Sequence, residues 1–337
     1  MNSPVTDRFN RPLRDLRISV TDRCNFRCAY CMPEEVFGER YQFLQREKLL
    51  TFEEIVRVTR LIVGQGAVKL RLTGGEPLMR QQVEKLVAQL AQIEGVEDIA
   101  MTTNAYFLPE KAQILREAGL HRLTVSLDSL DNDVFRAMNG HKADVDKVLH
   151  GIDVAVQAGF APIKINAVVQ RGVNDHTIVD LARYARDNGH ILRFIEYMDV
   201  GTLNGWRMDH VVPAKEIVQT IHAHMPLEPV ERNYGSETAL RFRYKDGSGE
   251  LGIIASVTRP FCGDCSRLRL SPEGQIYTCL FATKGTDLKT PMRDGATDAE
   301  LSAIIAGAWE ERDDQYSELR GKQTSLPEKI QMYYIGG

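Results

Sequence analysis

Leu16-Arg17-Ile18-Ser19-Val20 leads through Thr21-Asp22-Arg23 into Cys24-Asn25-Phe26-Arg27-Cys28-Ala29-Tyr30-Cys31. The first stretch is short, apolar and β-branched, the composition of a buried strand. Runs of the same kind recur at Val68-Leu72, Asp98-Thr102, Arg122-Leu127, Ile163-Val169 and Ile191-Tyr197. Amphipathic segments with helix start signals separate them. Thr51 with Glu54 forms a capping box, and Pro109 stands where a first helical turn tolerates proline. Glu84-Ile93, Val145-Gln157 and Thr177-Asn188 carry the periodicity of further helices. Strands alternating with helices predict parallel pairing through right-handed crossovers, in a doubly wound sheet or a complete or partial barrel. The six units found here are fewer than the eight of a closed barrel.

After Asp199 the pattern changes. Gly201-Asp209 reads as a loop and Pro213-His224 as a helix. Strand-like segments at Ala239-Tyr244, Leu251-Val257, Leu268-Ser271 and Gln275-Leu280 then follow in close succession. Two domains are expected, residues 1–210 and residues 211–337, and 337 residues supply material for both.

Apolar residues make up 43% of the chain and charged residues 26%, the composition of an ordinary globular protein. No run approaches the roughly 18 apolar residues of a membrane span, and Met1 to Asn10 has no apolar leader core. A reduced, cytoplasmic location is expected. The net charge of −4 argues against a nucleic-acid binder, which needs a basic face, but leaves room for a local basic pocket.

In parallel α/β architectures ligands gather at the carboxyl ends of the strands. The unusual residues of this chain fall there: the cysteine loop, Thr73-Gly74-Gly75-Glu76-Pro77, Thr102-Thr103-Asn104, Ser126-Leu127-Asp128-Ser129 and Glu196-Tyr197-Met198, with Lys164 and Asn166 on the fifth strand. Together they predict one site on one rim. Two successive glycines allow close approach of the backbone, and the plainer alternative is a tight strand-to-helix turn.

All six cysteines fall into two sets of three, Cys24/Cys28/Cys31 and Cys262/Cys265/Cys279. A disulfide would strand one thiol of each set. Structural zinc takes four ligands, and the nearest histidine after Cys31 is His121. Three thiolates suit three corners of a four-iron cluster, leaving one iron open to another ligand. For the second set a zinc site completed by Asp264 is the competing reading. Arg267-Leu268-Arg269 follows it, and on a strand its two guanidiniums share a face suited to phosphate.

The CxxxCxxC spacing with Tyr30 before its last cysteine, followed one βα unit later by the GGEP loop, resembles radical S-adenosylmethionine enzymes. With the second cysteine set, the RxR strand and the terminal Gly336-Gly337, the chain is similar over its whole length to the GTP 3',8-cyclase family of molybdenum cofactor biosynthesis. That resemblance implies a partial (βα)6 TIM-like barrel with a smaller C-terminal cluster-binding domain. It implies two [4Fe-4S] clusters and S-adenosyl-L-methionine as cofactors. Cys24, Cys28 and Cys31 would ligate one cluster, and Cys262, Cys265 and Cys279 the other. Tyr30, Gly75, Ser126 and Met198 would contact S-adenosylmethionine. Arg17, Arg71, Thr102, Lys164, Arg267, Leu268 and Arg269 would hold GTP, with Arg193 as an addition. Gly336 and Gly337, on a flexible tail, would assist catalysis. Implied partners are GTP, an electron donor and, for the product, cyclic pyranopterin monophosphate synthase, with no nucleic acid and no membrane, in a monomer or homodimer. Ala105 departs from the family, which commonly has glycine after Asn104; a positive φ there would cost alanine on the order of 1 kcal/mol.

The alternatives are a radical enzyme that modifies a peptide, an iron-sulfur electron carrier, or a zinc-stabilised binding module. The sparse second cysteine set and the adjacent RxR favour a phosphorylated small molecule over a peptide. An electron carrier would have fully ligated clusters and no use for the rim residues.

Overall fold

The computed structural model describes residues 4–320 and 328–337. Six strands alternate with helices in the first part: β1 (Asp15–Ser19), β2 (Lys69–Thr73), β3 (Asp98–Thr103), β4 (Arg122–Ser126), β5 (Lys164–Val169) and β6 (Ile191–Glu196). Each lies within a residue or two of its predicted run, and each pairs in parallel with the next. The result is a partial (βα)6 barrel.

Residues beyond β6 add β7 (Leu227–Val230), β8 (Leu240–Tyr244), β9 (Glu250–Ile254), β10 (Arg267–Leu270), β11 (Gln275–Tyr277) and β12 (Thr286–Asp287). They do not build a sheet of their own. β9 joins β6 in parallel and β10 joins β1 in parallel, so one sheet runs β12-β11-β10-β1-β2-β3-β4-β5-β6-β9-β8-β7. β7, β12 and the helix Asp298–Glu310 were not expected from the sequence.

Alternation along the strands separates an apolar layer from a polar lumen. Leu16, Ile18, Leu70 and Leu72 are at most 1% exposed and share a core with Ile55, Val58 and Ile62 of the helix Phe52–Gly64. Burying each such side chain contributes roughly 1.5–3 kcal/mol. Arg17 and Arg71, one residue out of phase, therefore face the opposite side. A slip of one residue would drive both guanidiniums among the helices, so the pattern fixes the register. The predicted capping box is formed: Glu54 N donates to Thr51 Oγ1 at 3.2 Å and Thr51 N to Glu54 Oε2 at 2.7 Å, a cap worth about 1 kcal/mol. The chain ends in a short helix, Met332–Ile335, and Gly336 turns with φ 77°. Among the described residues no helix is long and apolar enough to cross a membrane.

Candidate active site

The cysteine loop is held by its neighbours on the rim. Gly75 N donates to Thr21 O at 2.9 Å and Glu76 N to Arg23 O at 2.8 Å. A Cβ at Gly75 would lie 2.2 Å from Arg23 O, and one at Gly74 would lie 2.5 Å from Thr21 O. The double glycine is thus required by the segment that leads into Cys24, a contact within the chain rather than only with a ligand. Glu76 then accepts Leu78 N at 3.0 Å, Thr103 Oγ1 at 2.8 Å and Asn104 N at 2.8 Å, while Asn104 Nδ2 donates to Asn25 Oδ1 at 2.8 Å. Three predicted rim loops are one hydrogen-bonded unit. Burial outweighs these bonds and lifts the Glu76 carboxyl to about 7. Ala105 does adopt a positive φ, 64°, and is fully buried.

Cys28 and Cys31 sit on one turn, with Cys31 N donating to Cys28 O at 2.9 Å. Cys262 and Cys265 sit on a similar turn, with Cys265 N donating to Cys262 O at 3.2 Å. The third thiol of each set accepts a backbone N–H two residues on, Phe26 to Cys24 and Phe281 to Cys279, both at 3.4 Å. Beneath the second set, Arg11 donates to Cys262 O and Arg312 to Cys265 O, each at 2.8 Å, and both arginines pair with the fully buried Asp7 carboxylate.

All six thiols are free and line one cavity of about 310 Å³. Among the described residues no three His, Cys, Asp or Glu side chains converge as a single-ion site requires. Asp264, the fourth zinc ligand of the competing reading, is turned outward to Arg232 at 3.0 Å. Burial pushes the thiols of Cys24 and Cys279 up to about 12 and that of Cys31 higher. Burial also acts on Cys265, but Arg267, whose Nη2 donates to its sulfur at 3.1 Å, and Arg312 bring it down to about 6. Thiols gathered three and three on one cavity, most of them held protonated by burial, fit a group that brings its own positive charge and favours the thiolates. The residues present therefore fit two clusters with three protein ligands each.

A row of cations lines the same cavity. β10 beside β1 places Arg269 in register with Arg17, and β2 places Arg71 on its other side. Strands lie about 4.8 Å apart, so neighbouring guanidiniums repel by roughly 3 kcal/mol at an effective dielectric of about 20. None of Arg17, Arg71, Lys164, Arg193, Arg267 and Arg269 has a carboxylate ion-pair partner among the described residues. Burial and the adjacent arginines depress Arg17 strongly and hold Arg71 and Arg269 at about 10. Arg71 is propped by Thr102 Oγ1 at 3.2 Å and Thr124 Oγ1 at 3.1 Å. An inward cationic row without counter-ions fits a polyanion.

Arg17, Arg71, Thr102, Arg193, Arg267 and Arg269 line the main cavity. Lys164 lies in a smaller adjoining cavity of about 70 Å³, with Lys69, Arg122 and Glu237. Leu268 turns its side chain into the core, on the opposite face from Arg267 and Arg269, because it occupies the alternate strand position, and only its backbone lies on their strand beside them. Tyr30, Gly75, Ser126 and Met198 line the main cavity. Tyr30 OH donates to Asp128 Oδ2 at 2.9 Å, and burial lifts the Asp128 carboxyl to about 6. The Oδ1 of Asn166, beside them, is buried without a hydrogen-bond partner, as expected of an atom awaiting a polar ligand. Gly337 also lines the cavity, while the Gly336 carbonyl accepts from Arg269 and a Cβ there would lie 2.3 Å from Thr73 Cγ2.

Residues 18–185 match the family model for the Radical SAM superfamily, and residues 190–318 that for Molybdenum Cofactor Synthesis C. The chain is 51% identical over 362 residues to GTP 3',8-cyclase of Acidothermus cellulolyticus, covering 100% of both. It is 46% identical over 337 residues to that of Xanthomonas axonopodis pv. citri, again covering 100% of both. The chain belongs to the GTP 3',8-cyclase family. Among solved structures, Streptococcus suis SuiB bound to S-adenosylmethionine is similar with TM-score 0.63 at 13% identity, over 94% of this chain and 76% of that one. Native anSMEcpe with bound AdoMet gives TM-score 0.56 at 14% identity, over 95% and 93%. These likenesses are of fold, the partial barrel with a C-terminal extension.

Reasoning from sequence overlooked Lys69, the linking role of Glu76 and the partner of Tyr30, Asp128. Glu76 and Asp128 both stood in quoted rim motifs, so the position was legible and the role was not. Lys69 offered a signal, since it alternates with Arg71 on a strand.

Proposed function

We propose that this chain converts GTP to (8S)-3',8-cyclo-7,8-dihydroguanosine 5'-triphosphate, cleaving S-adenosylmethionine to 5'-deoxyadenosine and methionine, in the first step of molybdenum cofactor biosynthesis. The observation that carries this is the single cavity lined by both cysteine sets and by the cationic row. Cys24, Cys28 and Cys31 hold the first [4Fe-4S] cluster, and Tyr30, Gly75, Ser126 and Met198 seat S-adenosylmethionine beside it. With these bound and an electron supplied by a donor, the site would furnish the reductive cleavage of S-adenosylmethionine that makes a 5'-deoxyadenosyl radical available. Cys262, Cys265 and Cys279 hold the second cluster, beside which Arg267 and Arg269 orient the nucleotide. Arg17, Arg71, Lys164 and Arg193 neutralise the triphosphate, and Thr102 supports Arg71. Gly336 and Gly337 reach the reacting ribose without side chains to block it.

Residues 1–210 then act as the radical-generating part and residues 211–337 as the part that holds the second cluster and GTP. The six reduced thiols suit the cytoplasm, from which the product passes to cyclic pyranopterin monophosphate synthase. Anaerobic reconstitution is expected to give about eight irons per chain, from two four-iron clusters, and 5'-deoxyadenosine formation that depends on GTP. Cys262→Ala is expected to lower the iron content and the affinity for GTP while sparing slow, uncoupled cleavage of S-adenosylmethionine. Zinc at the second site, or cleavage indifferent to GTP, would sink this reading.

A further inference from the structure

Asp199 follows Met198 at the end of β6, is 4% exposed and does not line the cavity. Its carboxylate accepts Arg320 Nε at 2.8 Å, Lys329 Nζ at 2.7 Å and the Tyr316 hydroxyl, and its carbonyl accepts Lys329 Nζ at 2.6 Å. Arg320 Nη1 donates onward to Ser256 O at 3.0 Å. The Tyr316 ring stacks on Phe281 at 4.3 Å, and the Lys329 ammonium lies 4.6 Å from its centroid. Two separate stretches of chain, the helix Tyr316–Leu319 with its cap Arg320 and the segment at Lys329, thus meet on one buried carboxylate. A buried lysine without a partner is strongly disfavoured, so this pair fixes where Lys329 must be.

From Lys329 the chain proceeds to the cavity on hydrogen bonds, none of them an ion pair. Ile330 N donates to Ala282 O at 2.9 Å, the hydroxyls of Tyr333 and Tyr41 are 2.8 Å apart, and Tyr334 OH donates to Glu273 Oε2 at 2.7 Å. Two residues later the Gly336 carbonyl meets Arg269. We propose that Asp199 is a positioning residue for the C-terminal glycines: by gathering Tyr316, Arg320 and Lys329 it sets the path on which residues 328–337 enter the cavity. This rests on the reading of Gly336 and Gly337 as part of the catalytic machinery.

The test compares Asp199→Asn, Lys329→Met and Lys329→Arg in the reconstituted full chain, each with and without the last two glycines. Amide hydrogen exchange from Ile330 to Gly337 is expected to quicken at least about tenfold in Asp199→Asn and Lys329→Met, with β6 and β9 unchanged. Lys329→Arg is expected to restore slow exchange. The kcat should fall in the first two variants with little change in KM for GTP, and Asp199→Asn should cost no further kcat once the glycines are gone. Unchanged tail exchange, exchange that quickens equally in β6 and β9, or, where removal of the glycines itself lowers kcat, the same kcat loss with and without them would each overturn the proposal. A loosened tail, together with a kcat indifferent to removal of the glycines, would overturn instead the catalytic reading of Gly336 and Gly337 and leave path-setting by Asp199 in place.

Discussion

Lys164 stands in the lumen as a lysine that is half neutral near physiological pH. Burial first, then the charges of Arg193, Arg122 and Arg71, bring its ammonium down to about 7. A triphosphate placed among these cations reverses the electrostatic cause and favours the charged form. Above about pH 7 binding must therefore take up a proton, and affinity for GTP falls as pH rises, by up to about tenfold per unit. Calorimetry of the reconstituted, unreduced protein in two buffers of different ionisation enthalpy is expected to show uptake of roughly one proton at about pH 8 and close to none at about pH 6. Lys164→Met should abolish the difference; uptake that persists in that variant would place the titrating group elsewhere. At this scale much of the site was legible, because cysteine spacing and the RxR alternation are local patterns. Which face Arg17 and Lys164 occupy was not, since alternation names two faces without saying which is inside. Leu268 shows the same alternation: it lies between Arg267 and Arg269 in sequence, and its side chain is on the other face in space.

Among the elements, the six βα units were read nearly residue for residue, since each carries its own periodicity. The loops were harder. The GGEP segment was read as backbone open to a ligand or as a tight strand-to-helix turn, and its glycines are pressed against Thr21 and Arg23, which lead into Cys24. Gly75→Ala therefore has a consequence for the cysteine loop itself. Its Cβ would lie 2.2 Å from Arg23 O, and backbone there cannot yield without moving Cys24. The variant is expected to hold fewer irons than the parent after reconstitution and to lose most cleavage of S-adenosylmethionine. Gly263→Ala, where a Cβ meets nothing within 4 Å, serves as the control and should retain its iron. Full iron content in Gly75→Ala would mean that the loop tolerates the shift and that Gly75 acts on the ligand alone.

For the whole molecule, the decisive contacts are the least visible in sequence. β10 pairs with β1 across most of the chain's length, and β9 closes on β6 beyond an intervening hairpin strand. Periodicity reports that such strands exist and says nothing about where they pair, so the sequence offered C-terminal strands without showing that they extend both edges of the first sheet. That pairing sets Arg269 in register with Arg17 and brings Cys262, Cys265 and Cys279 to the same cavity as Cys24, Cys28 and Cys31. The central claim is that this cavity holds the ribose of GTP against the site where the 5'-deoxyadenosyl radical forms. GTP carrying deuterium at C3' tests it most directly, with the 5'-deoxyadenosine formed in the reconstituted, reduced enzyme weighed by mass spectrometry. The account predicts one deuterium in the 5'-deoxyadenosine for each cyclised nucleotide; unlabelled 5'-deoxyadenosine at the same yield of cyclised product would contradict it.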